Sequence, residues 1–165
     1  MQRSNLEQFS QESIQQRIHK AVEKLGLHDA YLLRIDGNER SITHRLAMYV
    51  QDEFEGWDVD CEYNRDHHSP DHVKRLQPYT DSIRADDTDA KTVFPDIIIH
   101  HRETTDNLLV IEVKKSTNPA SDERDEQKLQ AFKEQLTYRY ALFLRFNAGR
   151  NVQESQGPLK TEKWI

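Results

Sequence analysis

Apolar and polar positions divide the chain into elements of two different periods. Between Glu7 and Leu25, the residues Ile14, Ile18, Ala21, Val22 and Leu25 recur at helical spacing. They predict a helix with one apolar face, stopped at Gly26. A second stripe, Ile42, Leu46, Tyr49, Val50 and Phe54, predicts a helix from Glu39 to Phe54 with Asn38 as its cap. Between the two, Tyr31 to Ile35 is a short apolar run, read as a strand or an extended connector and closed by the turn signal Asp36-Gly37. At Trp57 the period changes to two. Trp57, Val59, Cys61 and Tyr63 share one face, and Asp58, Asp60 and Glu62 the other. This predicts the first strand of a sheet, near an edge, with Cys61 buried as a small hydrophobe.

Two further apolar runs, Ile97-Ile98-Ile99 and Leu109-Val110-Ile111, flank the polar stretch from Arg102 to Asn107. They predict a β-hairpin, too apolar for strands with one face in water. In its second strand Val110, Glu112 and Lys114 point to one face, and Leu109, Ile111 and Val113 to the other. Glu112 and Lys114 are thus neighbours on a face expected to be buried. A turn centred between Thr104 and Thr105 sets Asp96 opposite Val113, diagonal to Glu112 and Lys114. Two carboxylates and one ammonium then converge at one end of an apolar hairpin.

The remaining segments carry weaker patterns. Asn64 to Val93 is polar, with Pro70, Pro78 and several acids, and is read either as a functional loop or as containing a short helix near Asp71 to Leu76. Arg65, Lys74 and Arg75 are its candidates for meeting phosphate. His67, His68 and His72 lack the companions of a tetrahedral zinc site. Asn118 as cap and Pro119 as first residue predict a helix running to about Tyr140, with Leu129, Phe132, Leu136 and Tyr140 as its stripe. Ala141 to Phe146 reads as a buried strand. Gly149 to Lys163 reads as a loose tail, with Trp164 and Ile165 as docking points. The chain is therefore read as one domain: an N-terminal helical extension (1–36), a core (37–147) and a polar tail (148–165).

Composition narrows the function classes. The chain has 165 residues, 32% charged and 35% apolar, with a mean hydropathy of -0.93. That length is enough for a substantial core. No apolar run reaches membrane-spanning length, and no signal region follows Met1 to Asn5. A soluble, cytoplasmic protein without a membrane partner is expected. A single cysteine excludes an internal disulfide and any multi-cysteine zinc site. The net charge of -6 argues against a broad nucleic-acid-binding surface without excluding action on nucleic acid, since metal-binding acids, an acidic tail or a basic partner would each produce this balance.

The pair Pro95-Asp96 followed across the hairpin by Glu112-Val113-Lys114 resembles the signature of the PD-(D/E)xK nuclease superfamily, the fold of many restriction endonucleases. The predicted order from Glu39 to Phe146 resembles its αβββαβ core. The resemblance implies an α/β fold with a central mixed sheet flanked by helices, here with an extra N-terminal helix. It implies a metal-dependent nuclease using Mg2+, with Mn2+ able to substitute, and most simply a DNA endonuclease. Asp96 and Glu112 would hold the metal together with the carbonyl of Val113. Lys114 would orient the attacking water, offset charge on the phosphate or act as a base. Many members also place a glutamate on the helix before the sheet, which makes Glu39 a fourth catalytic candidate. An acid in a first helical turn is equally what the helix dipole favours. A polar residue on the helix after the motif often touches the site, and Lys128 and Gln135 are the candidates. A homodimer or a partner protein would supply specificity, and a role in bacterial defence or a mobile element is the analogy this invites. The alternatives are a non-catalytic module of the same fold that binds nucleic acid or protein, and an RNase.

Overall fold

The structure, a computed structural model, describes residues 9–63, 75–76, 91–92 and 94–165. Four helices occur among them: α1 (Gln11–His28), α2 (Ala30–Arg34), α3 (Glu39–Glu53) and α4 (Glu123–Leu136). The strands are β1 (Asp58–Cys61), β2 (Arg75–Leu76), β3 (Lys91–Thr92), β4 (Ile97–His100), β5 (Asn107–Lys115), β6 (Tyr140–Phe146) and β7 (Leu159–Trp164). Five strands form an open mixed sheet in the order β1-β4-β5-β6-β7, and β2 and β3 pair separately. Only β5 and β6 run parallel, joined through α4 as a parallel pair requires.

The centre of the sheet is β5, buried at every position but its last. Its alternation sorts two cores. Leu109, Ile111 and Val113 pack with Ile97, Ile99, Leu142 and Leu144 against the stripes of α1 and α3. Val110 packs with Ile98, Ala141 and Phe143 against Leu129 and Phe132 of α4. Both faces of the hairpin are covered, which is why its runs are apolar throughout. At the ends of α3 the sequence reading holds: Asn38 Oδ1 accepts from the Arg40 N–H at 2.8 Å, and Phe54 follows the last helical residue. As expected, β1 is an edge strand.

Several expectations are corrected. Helix α1 does not stop at Gly26 but continues to His28, with Asp29 as its C-cap. A Cβ at Gly26 would come within 3.3 Å of Pro158, so this glycine serves close packing. Tyr31 to Ile35 is no strand: Ala30 to Arg34 form a helical turn in which only Leu33 is buried, and Tyr31 and Ile35 face solvent. Cys61 is exposed, because β1 ends there, past the cover of the core. Helix α4 starts at Glu123, not at Pro119, and ends at Thr137 in a left-handed conformation (φ 55°), so Tyr140 belongs to β6. The tail is not loose: Leu159 to Trp164 pair antiparallel with β6 as the other edge of the sheet. Trp164 packs against one core and Ile165 against the other, as docking points should.

The hairpin register is corrected by one residue. Ile97 pairs with Ile111 and Ile99 with Leu109, and the ladder shifts after Ile99 so that His100 meets Asn107. Leu108 is the extra residue of this irregularity. Continued past Ile97, the register sets Asp96 level with Glu112 instead of Val113. Of the loop read between Asn64 and Val93, only the four residues of β2 and β3 are described, and Arg75 and Leu76 are strand where the end of a short helix was expected. The readings on Arg65, His67, His68, His72 and Lys74 lie outside the described residues.

Candidate active site

The site lies where β5 outruns β4. β4 begins at Ile97 and pairs up to Ile111, leaving Val113 and Lys115 of β5 with amides that face past its end. Buried amides need partners. Val113 N–H donates to Asp96 Oδ2 at 2.7 Å, and Lys115 N–H donates to Glu39 Oε2 at 3.0 Å. Asn118 Nδ2 also donates to that Glu39 oxygen, at 3.2 Å. Two predicted site acids, one from the start of β4 and one from the first turn of α3, are thus fixed by the same stretch of β5 backbone. In extended geometry the carbonyl of Val113 lies on the same side of β5 as its N–H.

Glu112 projects from β5 toward α4 and is 4% exposed. Its Oε1 accepts from the Asp96 backbone N–H at 3.3 Å. Lys128, on α4, puts its ammonium 2.8 Å from Oε1 and 2.9 Å from Oε2, and 2.8 Å from the carbonyl oxygen of Phe94. Burial pushes the Glu112 carboxyl up to about 8, and the nearby Asp96 charge adds to that rise, against the pull of Lys128. Burial likewise holds the Asp96 carboxyl above its ordinary range, with Glu39 adding to the rise, while the Val113 amide and Lys128 favour its charged form. The two acids form a coupled pair that gains from any added positive charge.

Lys114 shares the face of Glu112, as the alternation predicts, and is 5% exposed. Its ammonium reaches along α4 instead of toward the acidic pair. It donates to the Ser121 carbonyl at 2.8 Å and to Asp125 Oδ2 at 2.5 Å, with Asp122 at 3.6 Å. Asp122 is shared with Arg145 of β6. Lys115, on the opposite face, pairs with Asp36 at 2.8 Å. Gln135 is exposed near the end of α4. Sequence reasoning therefore found the residues of the acidic pair, but missed Asp125 as the partner of Lys114. Asp125 and Lys128 lie three residues apart, on the helix side that also carries Leu129 and Phe132, and charged residues flanking an apolar stripe were the available signal.

A cleft of about 390 Å³ opens beside the pair, lined by Glu39, Arg40, Thr43, His44, Cys61, Glu62 and Asp96. Glu62 adopts a left-handed conformation (φ 49°), its N–H donating to the Pro95 carbonyl at 3.0 Å, and its carboxylate meets Arg40 at 3.0 Å. A non-glycine residue in that region is strained and is retained only where its surroundings impose it. Although the residue is exposed overall, partial shielding of the Cys61 thiol, with the charges of Asp96, Asp60 and Glu62 nearby, pushes it up to about 11, which leaves it a poor nucleophile.

The donor set suits a hard cation. Asp96, Glu112 and the Val113 carbonyl offer oxygen only, which fits Mg2+ or Mn2+. Among the described residues, no group of three or more His, Cys, Asp or Glu side chains gathers as a ligand set. Among them too, no helix is long and apolar enough to cross a membrane. Comparison with protein-family models, with curated proteins and with solved structures returns no match.

Proposed function

We propose that this chain is a metal-dependent nuclease of the PD-(D/E)xK type, cutting phosphodiester bonds and most simply acting as a DNA endonuclease. The observation that supports it best is the pairing of half-buried Asp96 with buried Glu112, set level by the hairpin register, with Asp96 lining a cleft. A protein has little structural reason to set a second carboxylate against a buried one, since desolvation and mutual repulsion both disfavour their charge. The order helix–strand–strand–strand–helix–strand from α3 to β6, leaving aside the short β2–β3 ladder, is what the αβββαβ core requires.

The residues divide the work as follows. Asp96, Glu112 and the Val113 carbonyl would hold Mg2+. When bound, that ion supplies a nucleophilic water at neutral pH and neutralises the phosphate. Val113 N–H orients Asp96, and Lys115 N–H orients Glu39 at the cleft wall. Arg40 and His44 line the same cleft and can meet the flanking backbone phosphate. Lys114 stands one alternation from Glu112 and reaches the phosphate by exchanging Asp125 for it.

That last requirement favours a second reading, a non-catalytic binding module of the same fold, since Lys114 is engaged elsewhere. The net charge of -6 agrees with it. One assay separates the two. The protein is incubated with plasmid, linear duplex, single-stranded DNA and RNA, in Mg2+, in Mn2+ and in chelator. Cleavage of DNA that needs the metal is the expected result. Binding without cleavage of any substrate would replace the enzyme with the module, and cleavage of RNA alone would make it an RNase.

A further inference from the structure

The ammonium of Lys128 occupies the space that a cation on Glu112 would need. It sits 2.8 and 2.9 Å from the two carboxylate oxygens and 2.8 Å from the Phe94 carbonyl, directly before Pro95-Asp96. Its side chain is 14% exposed, so this is a sheltered contact and not a solvated surface pair. Lys114 leaves that place to it, being held by Asp125 and the Ser121 carbonyl. The two lysines on this face are therefore not equivalent: one is tied to α4, and the other neutralises the acidic pair.

We propose that Lys128 is the resting counter-ion of the Asp96–Glu112 pair, competing with the divalent cation for Glu112 and moving to the substrate phosphate when the cation enters. The proposal rests on reading Asp96 and Glu112 as a cation site. Both Glu112 oxygens accept from the ammonium and Oε1 also from the Asp96 N–H, so a metal ion arriving there meets a positive charge already at the carboxylate and binds better once that charge moves away. Alone, the ion meets that opposition with only two carboxylates and a carbonyl from the protein. With nucleic acid present, the phosphate adds a ligand to the ion and a new anion for the displaced ammonium. Lys128 thereby makes cation uptake depend on substrate, and a lysine suits this, as a compact charge on a flexible four-carbon stem.

The test measures metal binding without nucleic acid, so it does not depend on cleavage. The full chain and its Lys128→Met and Lys128→Gln variants are titrated with Mg2+ at pH 9, where protons compete least for the carboxylates. Melting temperature and calorimetry are the readouts. In chelator the variants should melt below wild type, since they leave the acidic pair uncompensated. The half-saturating Mg2+ concentration should fall about tenfold or more, the worth of one charged hydrogen-bond contact. Adding a short duplex in Ca2+, which lets binding be read without cutting, should tighten cation binding by wild type much more than by the variants. Should Lys128→Met unfold in chelator, refolding on Mg2+ is the expected result, and persistent unfolding at saturating Mg2+ overturns the proposal. Equal or weaker Mg2+ binding by the variants beside measurable binding by wild type overturns it too, while leaving the cation site standing. No response to Mg2+ or Mn2+ in any of the proteins overturns both.

Discussion

Glu112 sets the behaviour expected of single residues. Its folded carboxyl keeps its proton up to about 8, against an ordinary value of 4.5. Between those values the folded state binds more protons than the unfolded one, so stability falls as pH rises through that window. Asp96 is shifted in the same direction and adds to the trend. In chelator, the melting temperature should therefore decline from about pH 4.5 to about pH 8, and Glu112→Gln should flatten the decline. Mg2+ should do the same by supplying charge to the pair. A melting temperature that rises across this range in chelator would contradict the coupling. Asp96→Asn combined with Glu112→Gln should abolish Mg2+ and Mn2+ binding in calorimetry, and undiminished binding by that double variant would remove the site. Glu39 separates anchor from catalyst. A glutamine oxygen can still accept from Lys115 N–H, whereas Glu39→Ala orphans that amide and should cost about 1–3 kcal/mol. Glu39→Gln should melt near wild type yet turn over far more slowly. Wild-type turnover in Glu39→Gln would leave Glu39 as an anchor of β5 alone.

Among the elements, β7 shows how an edge strand is held. Trp164 packs against the α1–α3 core, stacks edge-on with Tyr140 at 6.4 Å and donates from its indole nitrogen to Glu162. Trp164→Ala should cost about 1–3 kcal/mol in denaturant unfolding, below the full core value because the ring is partly exposed. No loss would mean that β7 adds little to the sheet. This strand was illegible in the sequence because Lys160, Thr161, Glu162 and Lys163 interrupt any apolar alternation. Pairing with β6 holds it in place instead. The start of α4 was misplaced for a related reason: Asn118 spends its side chain on Glu39 and on the Ala120 N–H, forming a turn instead of a helix cap. The apolar run at Tyr31 misled because five residues are too few to tell a strand from a helical turn. By contrast, the stripes of α1 and α3 and the alternation of β5 were legible, since each buries a face large enough to outweigh local propensity. Glu112 was legible as a charge interrupting an apolar strand, and Asp96 as an acid directly before another. The one-residue register error followed from Leu108, an irregularity that no pattern of side chains announces.

At the scale of the whole molecule, an α/β sheet carries the acidic pair at the end of its central hairpin, and on the proposed reading an acidic chain must still meet a polyanion. Few cationic side chains line the cleft, so duplex binding should be modest and its salt dependence shallow. On the proposed reading, Asp96, Glu112 and Lys114 do chemistry on a bound phosphodiester and do not only hold it. Single-turnover cleavage of a labelled duplex in Mg2+, beside filter binding of the same duplex in Ca2+, tests this most directly, in wild type and in Lys114→Ala. A lysine acting in the transition state lowers rate while leaving affinity nearly unchanged. Lys114→Ala should bind like wild type and cleave at least about a hundredfold more slowly, within the range of such groups. Cleavage at the wild-type rate by Lys114→Ala, or no metal-dependent cleavage by wild type, would contradict it.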